Sequence, residues 1–578
     1  MPKDDMTSKT PQFDKALDAV LNALTPHERT CGWCGQRFPV EKEDIDFYRM
    51  LRVPPPTLCP VCRQQRRRAF VNYTTFYKRD CSVPGHKEKL ISQIPANSTF
   101  PVYDADYYWS GEWDPFSYGF PYSERRGFFE QFKGLLDTVP QPATTRDPMS
   151  VNSEYTAAGI QLKNCYYVFG GLHPENVLYA NWPVSTKDSI DILVSWECER
   201  CYEVVEADHC FACQFIYFSK HCMESRFLYD CQNCDHCFGC INLRNKKYYF
   251  FNQPLTKEEY EEKIREIDLG DREVLEHWKD RFLASLKGSP KRITFNTRTT
   301  NSTGSLLEDC DDCQHCFFIK GGKHNRYAEV NLASKDCMDM LLGTSPSRCY
   351  ESVTPYDGSD LRFVSNLRGE CIELEYSINV KNCSYCFGCI CLENKKYCIF
   401  NTQYPEEEYW PTVDRIKTRM LEQKEYGEFF PTRFSMFPYN ASLAQISSPY
   451  RKEEAEKRQL WWSEPELSEF PGEVFPKEKV PKRIEDVPDS LVNAALRCEV
   501  TGKPFRITKT EFAFYRKEHL PIPTIHPSQR LLNRFLWIGA FVLTETSCVK
   551  CGEKVVGNVS LGITDNIRCL SCYLKEVV

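Results

Sequence analysis

Eight cysteines stand in four C-x-x-C pairs, the spacing at which one turn of chain can offer two thiolates to a single metal ion. Two pairs lie near the start, Cys31 with Cys34 in CGWCGQRF and Cys59 with Cys62 in LCPVCRQQRRR. The other two, Cys548 with Cys551 and Cys569 with Cys572, close the chain in CVKCGEKVV…IRCLSC. Each set supplies four sulfurs for a tetrahedral shell, which suits Zn2+, an ion with no d-electron geometry to satisfy. Two structural zinc sites are therefore expected. Four thiolates leave no open position for water or substrate, so neither site is read as catalytic.

The two sets belong to copies of one module. Moved forward by 467 residues, Cys31 falls on Cys498, Gly35 on Gly502, Phe38 on Phe505 and Phe47–Tyr48 on Phe514–Tyr515. Pro54 and Pro56 fall on Pro521 and Pro523, and Arg63 on Arg530, without a gap. The same shift turns Cys34, Cys59 and Cys62 into Thr501, His526 and Gln529. Continued further, it places Cys81 on Cys548, where the C-terminal copy has its complete set. Each copy therefore had two potential sites, and each kept a different one.

C-x-x-C-G-x-x-F, an acidic residue ahead of F-Y, and P-x-x-C-x-x-C-R-x-x-R resemble the probable zinc-ribbon domain family of bacteria, over about 40 residues at each end. The whole chain, with YYWSGEWDPFSYG and FFEQF, resembles uncharacterised multi-zinc-ribbon proteins of small-genome bacteria. The first resemblance implies zinc-ribbon or treble-clef-like modules; the second implies no activity.

Between the modules lies a second duplication. NCDHCFGCINLRNKKYYFFN at 233–252 recurs as NCSYCFGCICLENKKYCIFN at 382–401, a shift of 149, whereas Cys201–Glu203 recurs at Cys349–Glu351, a shift of 148. Within the copies Cys198, Cys210, Cys222 and Cys234 stand twelve residues apart, separated by short β-branched and aromatic runs. A short fixed period of this kind predicts a parallel β-solenoid with stacked inward side chains. Buried cysteine behaves as a small hydrophobe, so these thiols are read as a core ladder. A hydroxyl in such a row is expected to lack a partner, so Cys210→Ser or Cys222→Ser should cost roughly 1–3 kcal/mol and Ala less. The run Cys231, Cys234, Cys237, Cys240 approaches a ferredoxin pattern but differs in its last spacing, and one of its members is Val380 in the second copy. A third zinc site and an iron–sulfur cluster are the alternatives there.

The chemistry outside the cysteines is sparse. No phosphate-binding glycine loop, nucleophile elbow or H-E-x-x-H occurs, His86 and His173 are isolated, and the protein is read as a binding protein rather than an enzyme. CRQQRRRAFVNYTTFYKR sets Arg63, Arg66, Arg67 and Arg68 beside Tyr73 and other aromatics, and the C-terminal copy keeps Arg530 and Arg534. Guanidinium groups and rings in that order suit RNA or DNA, by phosphate contact and base stacking. The competing reading pairs these arginines with the chain's own carboxylates. Two further alternatives are a solenoid scaffold for protein partners, with the zinc modules as end caps, and a polysaccharide-binding or -cleaving β-helix. Asp188, Asp191, Glu203 and Glu206 would line the groove of such a β-helix.

These segments need elements to hold them. The expected fold is mainly β with helical segments: a cysteine-rich parallel β-solenoid in two tandem copies, flanked by the duplicated zinc modules. The expected order is an amphipathic helix in 1–29, zinc module 1 in 30–110 and an aromatic helical connector in 111–150. Solenoid copies follow in 151–300 and 301–417, then a helical or irregular connector in 418–497 and zinc module 2 in 498–578. Of the 578 residues 26% are charged and 42% hydrophobic, with a net charge of −7, so no global basic field draws the protein to nucleic acid or membrane. No export signal is read at the N-terminus, and 31 cysteines without one point to metal ligands and free thiols in the cytoplasm. The longest apolar run, FLWIGAFVL at 535–543, is too short for a bilayer.

Overall fold

The computed structural model describes residues 8–464, 474–539, 541–558 and 565–577. Parts of the expected N-terminal helix segment, of the 418–497 connector, of the 535–543 apolar run and of zinc module 2 lie outside the described residues. The protein is mainly β, with thirteen α-helices among the described residues. It divides into two compact units. Unit 1 comprises Met1–Asn72, Lys78–Ala143 and Thr294–Ser463, and unit 2 comprises Tyr73–Tyr77, Thr144–Ile293 and Glu464–Val578. The N-terminal cysteine module thus belongs with the second middle copy, and the C-terminal module with the first.

In unit 2 strands from Glu154–Ala157 to Lys247–Phe250 pair in parallel, each with the next, at a constant offset of twelve residues, as in Ile190↔Tyr202, Tyr202↔Gln214 and Gln214↔Arg226. A finer rule runs beneath this offset. From Asn152 to Tyr248 nearly every third residue has φ near +50°, with Gly170 and Gly239 in the same series. An L-residue enters this region against Cβ sterics, at about 1–2 kcal/mol, and Asn, Asp and His enter it most easily. Each such residue turns the chain through a corner, so twelve residues make four short sides, and the residue after each corner points inward. All the inward core residues of unit 2, from Leu162, Cys165 and Val168 to Cys234, Cys237 and Cys240, therefore fall on multiples of three.

The inward positions form columns twelve residues apart. One reads Val168, Ala180, Ile192, Val204, Ile216, Leu228, Cys240 and supplies the apolar bulk. Another reads Cys165, Val177, Ser189, Cys201, Cys213, Ser225, Cys237. Its thiols and hydroxyls act alike. Cys213 donates Sγ–H to the carbonyls of Phe211 and Cys222, both at 3.4 Å, and Ser189 donates Oγ–H to the carbonyl of Lys187 at 2.6 Å. A side chain of this size fills a narrow corner and also meets the carbonyls that line it.

Unit 1 repeats the construction with two changes of register. Its first pairings, Thr297↔Glu308 and Thr300↔Asp311, have an offset of eleven, and Ser359↔Ile372, Arg362↔Glu375, Ser365↔Ile378 and Arg368↔Lys381 have thirteen. The corners run Asn366, Gly369, Glu373, with one extra residue before Glu373. That residue is why the two copies match at 148 early and at 149 late. At Gly369 (φ +64°) a Cβ would lie 1.9 Å from the side-chain oxygen of Asn382, so a larger residue there requires the Asn382 side chain to move.

Local signals held where local chemistry decides. Thr256 and Glu259 form a capping box on Lys257–Arg265, and the FFEQF segment forms helix Phe128–Thr138 in the expected helical connector. Pro11–Asn22 buries Phe13, Leu17 and Leu21 but leaves Val20 exposed. Among the described residues no helix is long and apolar enough to cross a membrane.

Candidate metal centres

The first cysteine set lies wholly in unit 1. Antiparallel strands His27–Thr30 and Arg37–Val40 end in the turn that carries Cys31 and Cys34. That turn is closed by Gly35 N–H to Cys31 O (3.0 Å) and Cys31 N–H to Gln36 O (2.8 Å), and Gly35 takes φ +74°, where glycine is the residue without steric cost. Cys59 is the N-cap of helix Pro60–Arg68, and Cys62 lies in its first turn. All four sulfur atoms lie within 4.8 Å of one another. Cys34 and Cys59 are 3.9 Å apart, close to the roughly 3.8 Å edge of a tetrahedron with 2.3 Å metal–sulfur bonds. Hydrogen bonding to Cys62, outweighing burial, pulls the Cys59 thiol down to about 5. Cys31 accepts N–H bonds from Trp33 (3.4 Å) and Cys59 (3.3 Å), which also favour the thiolate.

The second set repeats this arrangement in unit 2. Strands Thr544–Ser547 and Lys554–Gly557 frame Cys548 and Cys551, and Cys569 precedes helix Leu570–Val577, which carries Cys572. Again the sulfurs lie within 4.8 Å of one another, with Cys551 and Cys569 3.7 Å apart. Burial acts to raise the Cys548 thiol, but the backbone N–H groups of Cys569, Cys551 and Lys550 take it down to about 6. Both sets can hold a metal ion.

The sites that lost their ligands keep their backbone. At Cys498, Gly502 N–H meets Cys498 O at 2.9 Å, Cys498 N–H meets Lys503 O at 2.9 Å, and Gly502 has φ +67°. His526, which stands where Cys59 does, N-caps Pro527–Ile538, its ring nitrogen accepting from Ser528 N–H at 3.1 Å. Burial first, then Lys503 and Arg530, lower the His526 pKa to about 4. Cys81 likewise sits ahead of Gly85 (φ +85°), which the 467-residue shift places on Gly552 (φ +74°).

The middle cysteines are built differently. Cys231, Cys234, Cys237 and Cys240 are the four inward residues of one turn, each at most 1% exposed. Each donates to a carbonyl two residues back, at 3.4 to 3.5 Å. Among the described residues these four do not form a compact ligand group as the two sets above do. Burial raises the thiol pKa to about 11 at Cys165 and Cys371, and well above the ordinary value at Cys213. Hydrogen bonds from neighbouring thiols act the other way at Cys210 and Cys234, so it is the burial and the carbonyl hydrogen bonds that fit a core ladder.

The expected basic–aromatic surface is corrected by burial. Arg63, Arg66, Arg67, Arg68, Tyr73, Arg530 and Arg534 are each at most 8% exposed. In unit 1 Arg63 Nε meets Asp339 at 2.8 Å, Arg67 meets Asp339 at 2.9 Å and Glu351 at 3.3 Å, Arg66 meets Glu351 at 2.9 Å and Glu428 at 2.8 Å, and Arg68 meets Glu329 at 2.6 Å. In unit 2 Arg530 meets Asp191 at 2.6 Å and Glu511 at 3.1 Å, and Arg534 meets Asp191 at 2.7 Å. Tyr73 lies against Phe169 and Trp182. The physical reason is that the helix after each second knuckle docks on the parallel strands, whose inner acids attract its guanidinium groups.

The two networks are copies. The module shift of 467 relates Arg63 to Arg530 and Arg67 to Arg534, and the strand shift of 148 relates Asp339 to Asp191. Arg63 lies over the Tyr327 ring at 5.3 Å, and Arg530 over its counterpart Tyr179 at 4.8 Å. Asp339, Glu351 and Glu329 went unnoticed in the sequence because nothing local marks an acid that will meet an arginine hundreds of residues away, and Glu511 because its arginine lies on the next helix, 19 residues on. The four acids expected at a polysaccharide groove are also taken up. Asp191 is in the network, Glu203 pairs with Lys279 at 2.5 Å, Glu206 with Lys220 at 3.9 Å, and Asp188 accepts from Asn176 at 2.7 Å.

Among the described residues one other group has the ligand types for a metal: Asp268, Glu485 and His519. Arg483 already pairs with both of its acids, Asp268 at 2.9 Å and Glu485 at 3.6 Å. Compared with known protein families, curated proteins and solved structures, the chain matches none.

Proposed function

We propose that this protein is a zinc-binding, non-catalytic scaffold whose two units each join a β-solenoid to a zinc-ribbon-like module. The observation that carries the reading is the pair of closed four-sulfur groups, each of a size to surround one ion and each with a thiol drawn below its usual range. Four thiolates fill a tetrahedral shell, so the ion's role is to fix the fold of its module. The constant twelve-residue parallel offset supports the solenoid. Protein partners are favoured over nucleic acid because the arginines that suggested phosphate contact are committed to internal ion pairs.

Elemental analysis of protein purified without oxygen tests the metal. Two zinc ions per chain and no iron are expected. Iron with a broad absorbance near ~400 nm would assign a cluster to the Cys231–Cys240 turn instead, and fewer than two zinc ions would remove one of the sites.

A further inference from the structure

We infer that metal held by Cys31, Cys34, Cys59 and Cys62 is the lock on an arginine latch in unit 1, and that unit 2 carries the same latch in a form that no longer needs a metal. The inference rests on the zinc reading above and adds a conformational device to it. Helix Pro60–Arg68 has only nine residues, and a helix that short does not persist alone. Its buried side chains are Cys62, Arg63, Gln65, Arg66, Arg67 and Arg68, and its one aliphatic residue, Val61, is 48% exposed. The helix therefore has no aliphatic face to hold it on the strands. What it buries is charge, and the desolvation of a buried ion pair offsets most of the attraction between its partners. Cys59 makes no side-chain capping bond. Beyond the bonds of Cys59 N–H to Cys31 Sγ (3.3 Å) and of Arg63 to Leu58 O (2.8 Å), what restrains the first turn is a tie through Cys59 and Cys62 to Cys31 and Cys34.

Unit 2 replaces every part of that restraint. Helix Pro527–Ile538 has twelve residues and buries Leu531, Phe535 and Ile538 beside Arg530 and Arg534. His526 caps it through Ser528 N–H, and Cys498 Sγ accepts the N–H groups of His526 (3.2 Å) and Thr501 (3.5 Å). Two N–H groups likewise meet Cys31 Sγ in unit 1 (3.3 and 3.4 Å), so it is the apolar burial and the cap that stand where the ion stands there. Loss of the first metal should therefore free helix Pro60–Arg68 and uncover Asp339, Glu351 and Glu329, while the Arg530–Asp191 latch stays closed.

The test is hydrogen–deuterium exchange on the full-length protein, with zinc content measured on the same samples. Cys34→Ala removes the exposed ligand of the first set, and Cys551→Ala that of the second. With C34A, amides of 62–71 and 337–351 should exchange about tenfold faster or more, with 530–538 unchanged. With C551A, 530–538 should keep its protection. Stepwise chelation of the unaltered protein reads the same peptides without relying on a variant that folds. If C34A loses one zinc and 62–71 stays protected, the lock is overturned while the zinc reading stands. If C34A combined with Cys59→Ala, which leaves two of the four thiols, loses no zinc, the zinc reading falls at this site and the inference with it. If 530–538 opens to the same extent as 62–71, the asymmetry is overturned.

Discussion

Cys213 and Ser225 occupy neighbouring levels of one inward column and make the same bond, each donating to the carbonyl two residues back, at 3.4 and 2.7 Å. This reverses the expected order of substitutions at such corners. A hydroxyl there has its partner ready, so Cys213→Ser should change stability by less than about 1 kcal/mol. Cys213→Ala should cost more, about 1–2 kcal/mol, because it forfeits the bond and leaves a gap. Urea denaturation midpoints of the two variants check the order. His526 gives a pH dependence with a definite sign. Its pKa falls from 6.5 when unfolded to about 4 when folded, so the unfolded chain binds the extra proton between these values. Stability is full above pH 6.5 and is lost as pH falls to about 4, by up to about 3 kcal/mol. His526→Gln should flatten that part of a stability-against-pH curve. The inward cysteines were legible from the sequence, but only at period twelve. The period of three was hidden, because Tyr, Phe and Glu occupy corners such as Tyr167, Phe215 and Glu203, where nothing in the residue type announces a positive φ.

At the scale of elements, the knuckles were the most legible part, since a C-x-x-C-G turn encodes its own hairpin. The structure adds that the turn persists at Cys498, where Thr501, His526 and Gln529 stand in place of the other three cysteines. Cys31 and Cys498 make matching bonds: Gly35 N–H and Gly502 N–H close them at 3.0 and 2.9 Å, and Arg63 N–H and Arg530 N–H meet Cys59 O and His526 O, both at 3.0 Å. The lost shell should therefore be restorable. Thr501→Cys, His526→Cys and Gln529→Cys together with native Cys498 should bind one additional zinc per chain and raise the melting temperature when zinc is added. Titration with zinc against a chromogenic chelator measures it, and Thr501→Cys alone should add far less. The helices after the knuckles misled for a definite reason. RRR at a helix end reads as a solvated face, and in unit 1 it is buried because Asp339 and Glu351 lie on strands that meet it only in the tertiary fold.

For the whole molecule, the two duplications were visible in the sequence, but which copy joins which module was not. The chain order is module, copy, copy, module, and a reader who pairs neighbours joins the N-terminal module to residues 151–267. The structure joins it to the second copy, through Arg326 with Asp44 at 2.6 Å and Arg63 with Asp339. Sequence offers only side-chain identity for that choice, and Asp191 is as good an acid as Asp339. A lysine-reactive cross-linker should accordingly join Lys42 to Lys323, with the linked peptides identified by mass spectrometry. The one-residue drift between the copies has a similar lesson. It looked like noise in an alignment, yet it is the thirteen-residue turn between Ser359 and Ile372.

Eight of the 31 cysteines make the two compact metal groups, and most of the others lie in the columns. On a newly made chain, before any column exists, all of them compete for the same ion. A zinc ion caught between a column cysteine and a knuckle would hold the wrong segments together, and thiolate exchange would have to release it before folding could proceed. Stacking of the turns removes the inward thiols from that competition by burying them and engaging their S–H groups in hydrogen bonds to carbonyls. Where the columns form before the ion is bound, order of assembly becomes a form of metal selectivity, and the ion is left to the thiols that remain.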